Sequence, residues 1–201
     1  MGSTAMNYDR KDRYYQKAKE SGYKSRAAYK LIQLHEKFQI FKHGMRVVDL
    51  GCAPGSWLQV ISEKIGPTGK VVGLDIEEVP PFGSKNIHFI RGDILEKENQ
   101  EKILDRLGGL ADLVVSDMAP HLTGIKFKDH YHSFELADSA LAFCHSLLRS
   151  GGNFVVKIFP GEELDGFKKK LQSVFDKLKV HIPDATRKTS SEIYLVGLGF
   201  R

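Results

Sequence analysis

The sequence predicts a doubly wound α/β domain: a mostly parallel seven-stranded sheet with helices on both faces, a reversed last strand and an N-terminal helical extension. Three observations predict it. After residue 45, short apolar runs alternate with helical stretches, as they do when crossover helices connect parallel strands. The runs VVDL (47–50), LVVS (113–116) and FVVKI (154–158) show little apolar–polar alternation, as in strands covered on both faces. No long helical stretch separates the last two runs, so they are expected to pair as an antiparallel hairpin.

Taken in order, the expected strands are Arg46–Leu50, Lys70–Asp75, Ile87–Ile90, Asp112–Ser116, Asn153–Ile158, Lys177–Ile182 and Glu192–Leu198. Helices are expected near 56–65, 97–107, 132–149 and 163–175. In front of the sheet, Ser25 is suited to cap a helix running to about Ile40. Ala27, Leu31, Leu34 and Phe38 follow helical spacing and would bury one stripe, while Arg26, Lys30, Gln33 and Lys37 form another. The 201 residues read as one domain, with a basic extension over 1–42 and a core over 43–201.

Charge is distributed unevenly. The chain carries +5 overall, but residues 10–42 hold ten basic residues, beginning with Arg10 and Lys11, against three acids. That segment is +7 and the remainder −2. An excess so local suits a polyanion, although a solvated helical face has the same composition. No apolar run is long enough for a membrane span, and the N-terminus lacks the apolar stretch of a secretory signal. Cys52 and Cys144 stand far apart with no CxxC partner, which argues against a disulfide framework or zinc site and for a reducing, cytoplasmic setting.

The chemistry gathers at strand ends. The string DLGCAPGSW (49–57) lies directly after an apolar strand and before a helix. Gly51 and Gly55 permit turns and close approach that a side chain would block. The spacing is not that of a dinucleotide fingerprint. With Ala53 and Pro54 between the glycines, it suits an adenosine-sulfonium ligand without pyrophosphate. Asp49, just before the loop, would favour a cationic group. Asp75, Asp93 and Asp117 end or follow successive strands, and in a parallel sheet such ends open on one edge. An acid after the second strand is the expected acceptor for ribose hydroxyls, and Asp93 could accept from an adenine amine.

Lys157 interrupts a run that otherwise reads as a central strand. A buried ammonium needs a specific reason, either a structural ion pair or a reacting group that it serves. It could take a proton from a hydroxyl or stabilise a developing alkoxide. Glu192 opens the last strand, and if that strand is reversed, Asp117, Lys157 and Glu192 converge on one edge. Cys144 falls on an apolar helical stripe, and Cys52 reads as packing in the loop. His130 and His132 read as a surface loop rather than a metal site, and Lys168–Lys170 as a solvated face. Arg187 and Lys188 stand where they could touch phosphate.

The segments SRAAYKL (25–31), VVDLGCAPGSW (47–57), SDMAP (116–120), GGNFVVKIFPGE (151–162) and SSEIYLV (190–196) together resemble the FtsJ family of RNA ribose 2′-O-methyltransferases, from about Lys24 to Leu198. The resemblance implies the Rossmann-like fold of S-adenosylmethionine-dependent methyltransferases. It also implies a catalytic tetrad at Lys30, Asp117, Lys157 and Glu192, with Lys157 as proton acceptor. Cofactor contacts are implied at Gly55, Trp57, Asp75, Asp93 and Asp117. One departure is His121 after SDMAP, where a small polar residue is expected; it bears on the substrate pocket. The expected substrate is a uridine ribose in large-subunit rRNA, naked or in a ribosomal subunit, with the tRNA anticodon loop as alternative. The expected enzyme is a monomer that needs no metal. Three rivals fit less well. A nucleobase amino-methylating enzyme would carry an Asn/Asp-Pro-Pro-aromatic string, which SDMAP is not. A non-catalytic RNA-binding module would have no need to keep Asp117, Lys157 and Glu192. An NAD-dependent oxidoreductase would have pyrophosphate glycine spacing.

Overall fold

A computed structural model describes residues 12–201. Arg10 and Lys11 of the basic segment lie outside the described residues. Helix α1 (Arg13–Glu20) starts at Asp12, whose Oδ1 accepts from the backbone N–H of Tyr14 at 3.0 Å and of Tyr15 at 3.2 Å. Helix α2 (Ala28–Phe38) begins behind Ala27, not behind Ser25 as expected. Ser25 instead ties the entry turn: its Oγ accepts from Ala27 N at 3.2 Å and is hydrogen-bonded to Ser56 Oγ at 2.8 Å.

The core follows as β1 (Arg46–Leu50), α3 (Ser56–Ile65), β2 (Lys70–Asp75), β3 (Ile87–Arg91), α4 (Lys97–Leu107), β4 (Ala111–Ser116), α5 (Lys126–Leu147), β5 (Leu148–Ile158), α6 (Leu164–Val174), β6 (Phe175–His181) and β7 (Ile193–Phe200). The seven strands form one sheet in the order β3-β2-β1-β4-β5-β7-β6. β1 to β5 pair in parallel, and β7 runs antiparallel to both β5 and β6. The expected reversed strand and terminal hairpin are therefore present. The strand order turns back between β1 and β4, which is where open α/β sheets bind ligands. Two helices differ from expectation: α1 was not expected at all, and α5 starts at Lys126 rather than 132.

Side-chain alternation divides the sheet into two faces. Val48, Leu50, Val72, Leu74, Val114, Phe154 and Val156 pack with buried residues of α4, α5 and α6. Val47, Val71, Leu113, Val115, Val155, Tyr194 and Val196 pack against Leu31 and Leu34 of α2 and Leu58 and Ile61 of α3. Leu31 and Leu34 are fully buried, and at about 1.5–3 kcal/mol each they hold α2 on the sheet. Asp49, Lys157 and Tyr194 share strand parity with this second set, so all three side chains lie on the face that α2 covers. Among the described residues no helix is long and apolar enough to cross a membrane.

Candidate active site

The loop after β1 is shaped by its glycines, which have φ +76° at Gly51 and +101° at Gly55. A Cβ on Gly51 would stand 2.3 Å from Met118 Cγ, and one on Gly55 2.4 Å from Phe82 Cζ. Their need for glycine thus comes from neighbouring side chains as well as from left-handed backbone. Between them, Ala53 N donates to Asp75 Oδ2 at 2.8 Å, while Asp75 Oδ1 accepts from Glu77 N at 2.9 Å. Each of these oxygens keeps a second lone pair, free for a ribose hydroxyl. The N-cap of α3 is Gly55, which gives no side-chain cap, so the helix's first N–H groups face the loop beside Pro54. Asp93 Oδ1 accepts from Leu95 N at 2.9 Å, and buried Asn99 holds the Asp93 carbonyl at 2.8 Å.

Trp57 is buried, donates its indole N–H to Ala27 O at 2.8 Å and packs 6.0 Å from the Tyr194 ring. The structure shows it anchoring the extension to α3 rather than lining the open loop. Asp49 is fully buried and neither carboxylate oxygen has a hydrogen-bond partner. Burial, reinforced by Asp117 and Asp75, raises its carboxyl well above the usual range. An orphaned acid beneath a glycine loop fits a cationic ligand, such as the amine or sulfonium of S-adenosylmethionine.

The four residues of the expected tetrad come together. Asp117 follows β4, Lys157 lies in β5, Glu192 directly precedes β7, and Lys30 reaches in from α2. Lys157 Nζ donates to Asp117 O at 2.6 Å and sits 3.0 Å from Asp117 Oδ1. Lys30 Nζ pairs with Glu192 Oε1 at 2.5 Å. The next residue after Asp117 is Met118, which packs on Gly51, so Lys157 and the glycine loop both abut the segment 117–118. Tyr194, which the sequence reading missed, donates its hydroxyl to Asp117 Oδ1 at 2.6 Å. Its signal was available: it stands two residues after Glu192 on the same face of the strand, opposite Lys157 in the ladder. Burial alone would raise the Asp117 carboxyl. The Lys157 and Lys30 ammoniums and the Tyr194 hydroxyl outweigh it and hold the group below its usual range. Burial, with Asp117 and Glu192 nearby, pushes the Tyr194 phenol up.

Lys30, Lys157 and Glu192 open on a cleft of about 780 Å³, whose walls include Arg26, His121, His130, Phe159 and Arg187. His130 and His132 are on α5 rather than a loop. His130 faces the cleft at 6.2 Å from the Phe159 ring, and His132 bonds Glu135 at 2.9 Å. Lys168 pairs with Asp165, and Lys170 with Asp138, on an outer face. Arg187 and Lys188 are exposed. Cys52 and Cys144 are free and buried, and among the described residues no three His, Cys, Asp or Glu side chains group to hold a metal.

Residues 23–200 match the family described as FtsJ-like methyltransferase. A protein of Methanothermobacter thermautotrophicus named ribosomal RNA large subunit methyltransferase E is 43% identical over 201 residues, covering 100% of this chain and 95% of its own. A protein of the same name from Nitrosomonas europaea is 46% identical, covering 93% of this chain and 90% of its own. A crystal structure from Plasmodium falciparum assigned as a ribosomal RNA methyltransferase superposes with a TM-score of 0.78 at 34% identity, over 89% of this chain and 98% of that one. Aeropyrum pernix fibrillarin, solved with S-adenosylmethionine, shares the fold at a TM-score of 0.60 and 20% identity, over 86% of this chain and 73% of that one. The chain belongs to the FtsJ-like methyltransferase family and takes S-adenosylmethionine as its methyl donor.

Proposed function

We propose that the protein methylates the ribose 2′-hydroxyl of a uridine in large-subunit ribosomal RNA, acting as a cytoplasmic monomer without a metal. In this reading residues 1–201 work as one catalytic domain, the basic extension over 1–42 gripping RNA for the core over 43–201. One observation carries it: a buried lysine amine, ion-paired with Asp117, lines a cleft that a second lysine–carboxylate pair, Lys30 with Glu192, also lines. The relatives named for large-subunit rRNA support the substrate class.

When bound, the sulfonium cofactor supplies an already activated methyl group. The chain's own residues do the rest. Gly51, Ala53, Pro54 and Gly55 shape the bed; Asp75 and Asp93 hold the adenosine hydroxyls and amine; Asp49 faces the cationic end; Trp57 fixes the first turn of α3. Lys30 and Glu192 orient the acceptor ribose, while Asp117, steadied by Tyr194, fixes Lys157 Nζ against the 2′-hydroxyl. Lys157, its Nζ held by Asp117, is the group placed to accept the hydroxyl proton as the oxygen attacks in line. With the cofactor bound, Lys157 would pass the hydroxyl proton on to solvent as the methyl is given up and the S–CH3 electron pair returns to sulfur, leaving neutral S-adenosylhomocysteine. Lys126 and Arg187 around the cleft contact phosphates, positioning the strand without reading its sequence, while Arg26 is ion-paired with Asp12 and ties the extension to the Ala185 carbonyl.

The test is methyl transfer from tritiated S-adenosylmethionine to large-subunit rRNA of cells lacking the protein, followed by nucleoside digestion and mass spectrometry. The expected product is 2′-O-methyluridine. Label appearing only in tRNA would move the substrate to the anticodon loop, and label on a base would overturn ribose chemistry.

A further inference from the structure

Nine large apolar residues are exposed among the described residues, and four of them fall within ten positions: Leu122 (70% exposed), Ile125 (53%), Phe127 (61%) and Tyr131 (42%). Clustered apolar exposure of this kind marks an interaction surface rather than ordinary scatter. The segment is also held in shape. Asp129, itself buried, accepts from Thr123 N at 2.7 Å, Thr123 Oγ1 at 2.8 Å and Gly124 N at 3.2 Å, which folds the loop back on the first turn of α5.

Helix geometry ties this surface to the active cleft. Lys126 and His130, one turn apart, line the cleft together with Leu122. Phe127 and Tyr131, also one turn apart, form the adjacent stripe and so continue the cleft wall outward. Charge then selects the occupant. Lys126 and Lys128 interleave with the aromatic residues and have no carboxylate partner among the described residues, since Asp129 is bound into the loop. A surface alternating cations with exposed ring faces suits a polyanion that itself offers flat ring faces. Single-stranded RNA does so, whereas a duplex hides its base faces in stacked pairs.

We infer that Phe127 and Tyr131, one turn apart and flanked by Lys126 and Lys128, form a stacking platform for unpaired nucleotides flanking the methylated ribose, with Leu122 at the cleft wall beside it. The inference rests on the proposed RNA substrate and deepens it: the target is presented in an unpaired segment. The first experiment measures fluorescence anisotropy of a short, unstructured, labelled RNA with wild type and with the double variant F127A/Y131A. We expect the variant to bind the single strand about tenfold more weakly, as loss of a base–aromatic stack implies. A labelled RNA duplex of the same length should bind both proteins alike, and S-adenosylmethionine affinity should not move; the melting temperature should fall only slightly, through loss of the Tyr131 ring's contact with Phe134. F127W/Y131F should keep wild-type binding. Equal single-strand affinity in wild type and F127A/Y131A overturns the platform. So does a variant that methylates protein-free rRNA normally and is impaired only on assembled large subunits, which would assign the patch to a ribosomal protein. Failure of the functional reading would look different: no methyl transfer by wild type to any RNA, whatever the anisotropy shows.

Discussion

Tyr194 and Asp117, 77 positions apart in the chain, share a 2.6 Å hydrogen bond to the same carboxylate oxygen that faces Lys157 Nζ at 3.0 Å. The tyrosine is therefore a brace on the aspartate that braces the lysine. Tyr194→Phe keeps the ring against Trp57 and removes only the hydroxyl. A hydrogen bond to a charged group contributes about 1.5–3 kcal/mol, so the variant should fold with a lower melting temperature. If Tyr194 acts through Asp117, kcat should fall while the KM for S-adenosylmethionine stays near wild type. An unchanged kcat would leave the hydroxyl a purely structural group.

Asp117 makes acid stability a second readout. Its carboxyl is held below the usual range, so near and below the ordinary value of about 3.9 the unfolded chain binds the proton more readily than the folded one. The stabilisation is therefore complete above that value and is lost as pH falls through the folded one. Denaturant unfolding from about pH 6 down to about pH 3 should show this loss in wild type and a shallower slope in Asp117→Asn. Parallel curves would mean that the ion pair does not couple to folding.

Much of this arrangement was legible before folding, for physical reasons that differ by residue. The parallel strands showed because burial on both faces leaves apolar runs such as 47–50 and 113–116. The convergence of Glu192 with Lys157 followed once β7 was read as reversed, since a reversed strand begins where its neighbours end. Lys30 could not be found from spacing, because it comes from a helix outside the sheet; only the family resemblance pointed to it. The first turns of α5 escaped because periodicity detects a buried stripe, and over 126–131 the apolar side chains face outward. Helix α1 was missed for a related reason: its eight residues bury only Ala18, and its start is marked by a single Asp12 cap.

Lys157 admits a test that separates its two chemical roles. Arginine keeps a permanent cation beside Asp117 but cannot accept a proton at any working pH. If Lys157 is the proton acceptor, Lys157→Arg should lose transfer as fully as Lys157→Ala, by about 10²-fold or more, with cofactor affinity nearly intact in both. Substantial activity in the arginine variant alone would reassign Lys157 to electrostatic stabilisation of the developing alkoxide. Comparing single-turnover rates of the two variants under saturating RNA makes that distinction independent of substrate affinity.

Asp49 should show a cost to folding that is repaid in ligand affinity. Its side chain is fully buried with both oxygens unpartnered, and burial with Asp117 and Asp75 nearby raises its carboxyl well above the usual range. Between the ordinary value and the raised one, the folded state keeps a proton that the unfolded state has released, so stability falls as pH rises through that window. Asp49→Asn removes the titration and fits nearly the same volume. Without cofactor it should therefore melt no lower than wild type at neutral pH, and higher as pH increases. In the complex the cationic end of S-adenosylmethionine would draw the proton off Asp49 and pair with the carboxylate, which asparagine cannot supply, so the Kd of the variant should rise about tenfold, about 1.4 kcal/mol. Calorimetric titration of the cofactor alongside thermal melts of the free protein measures both effects on one sample. A variant that melts lower and binds the cofactor as wild type does would show that the Asp49 carboxylate serves the fold and not the ligand.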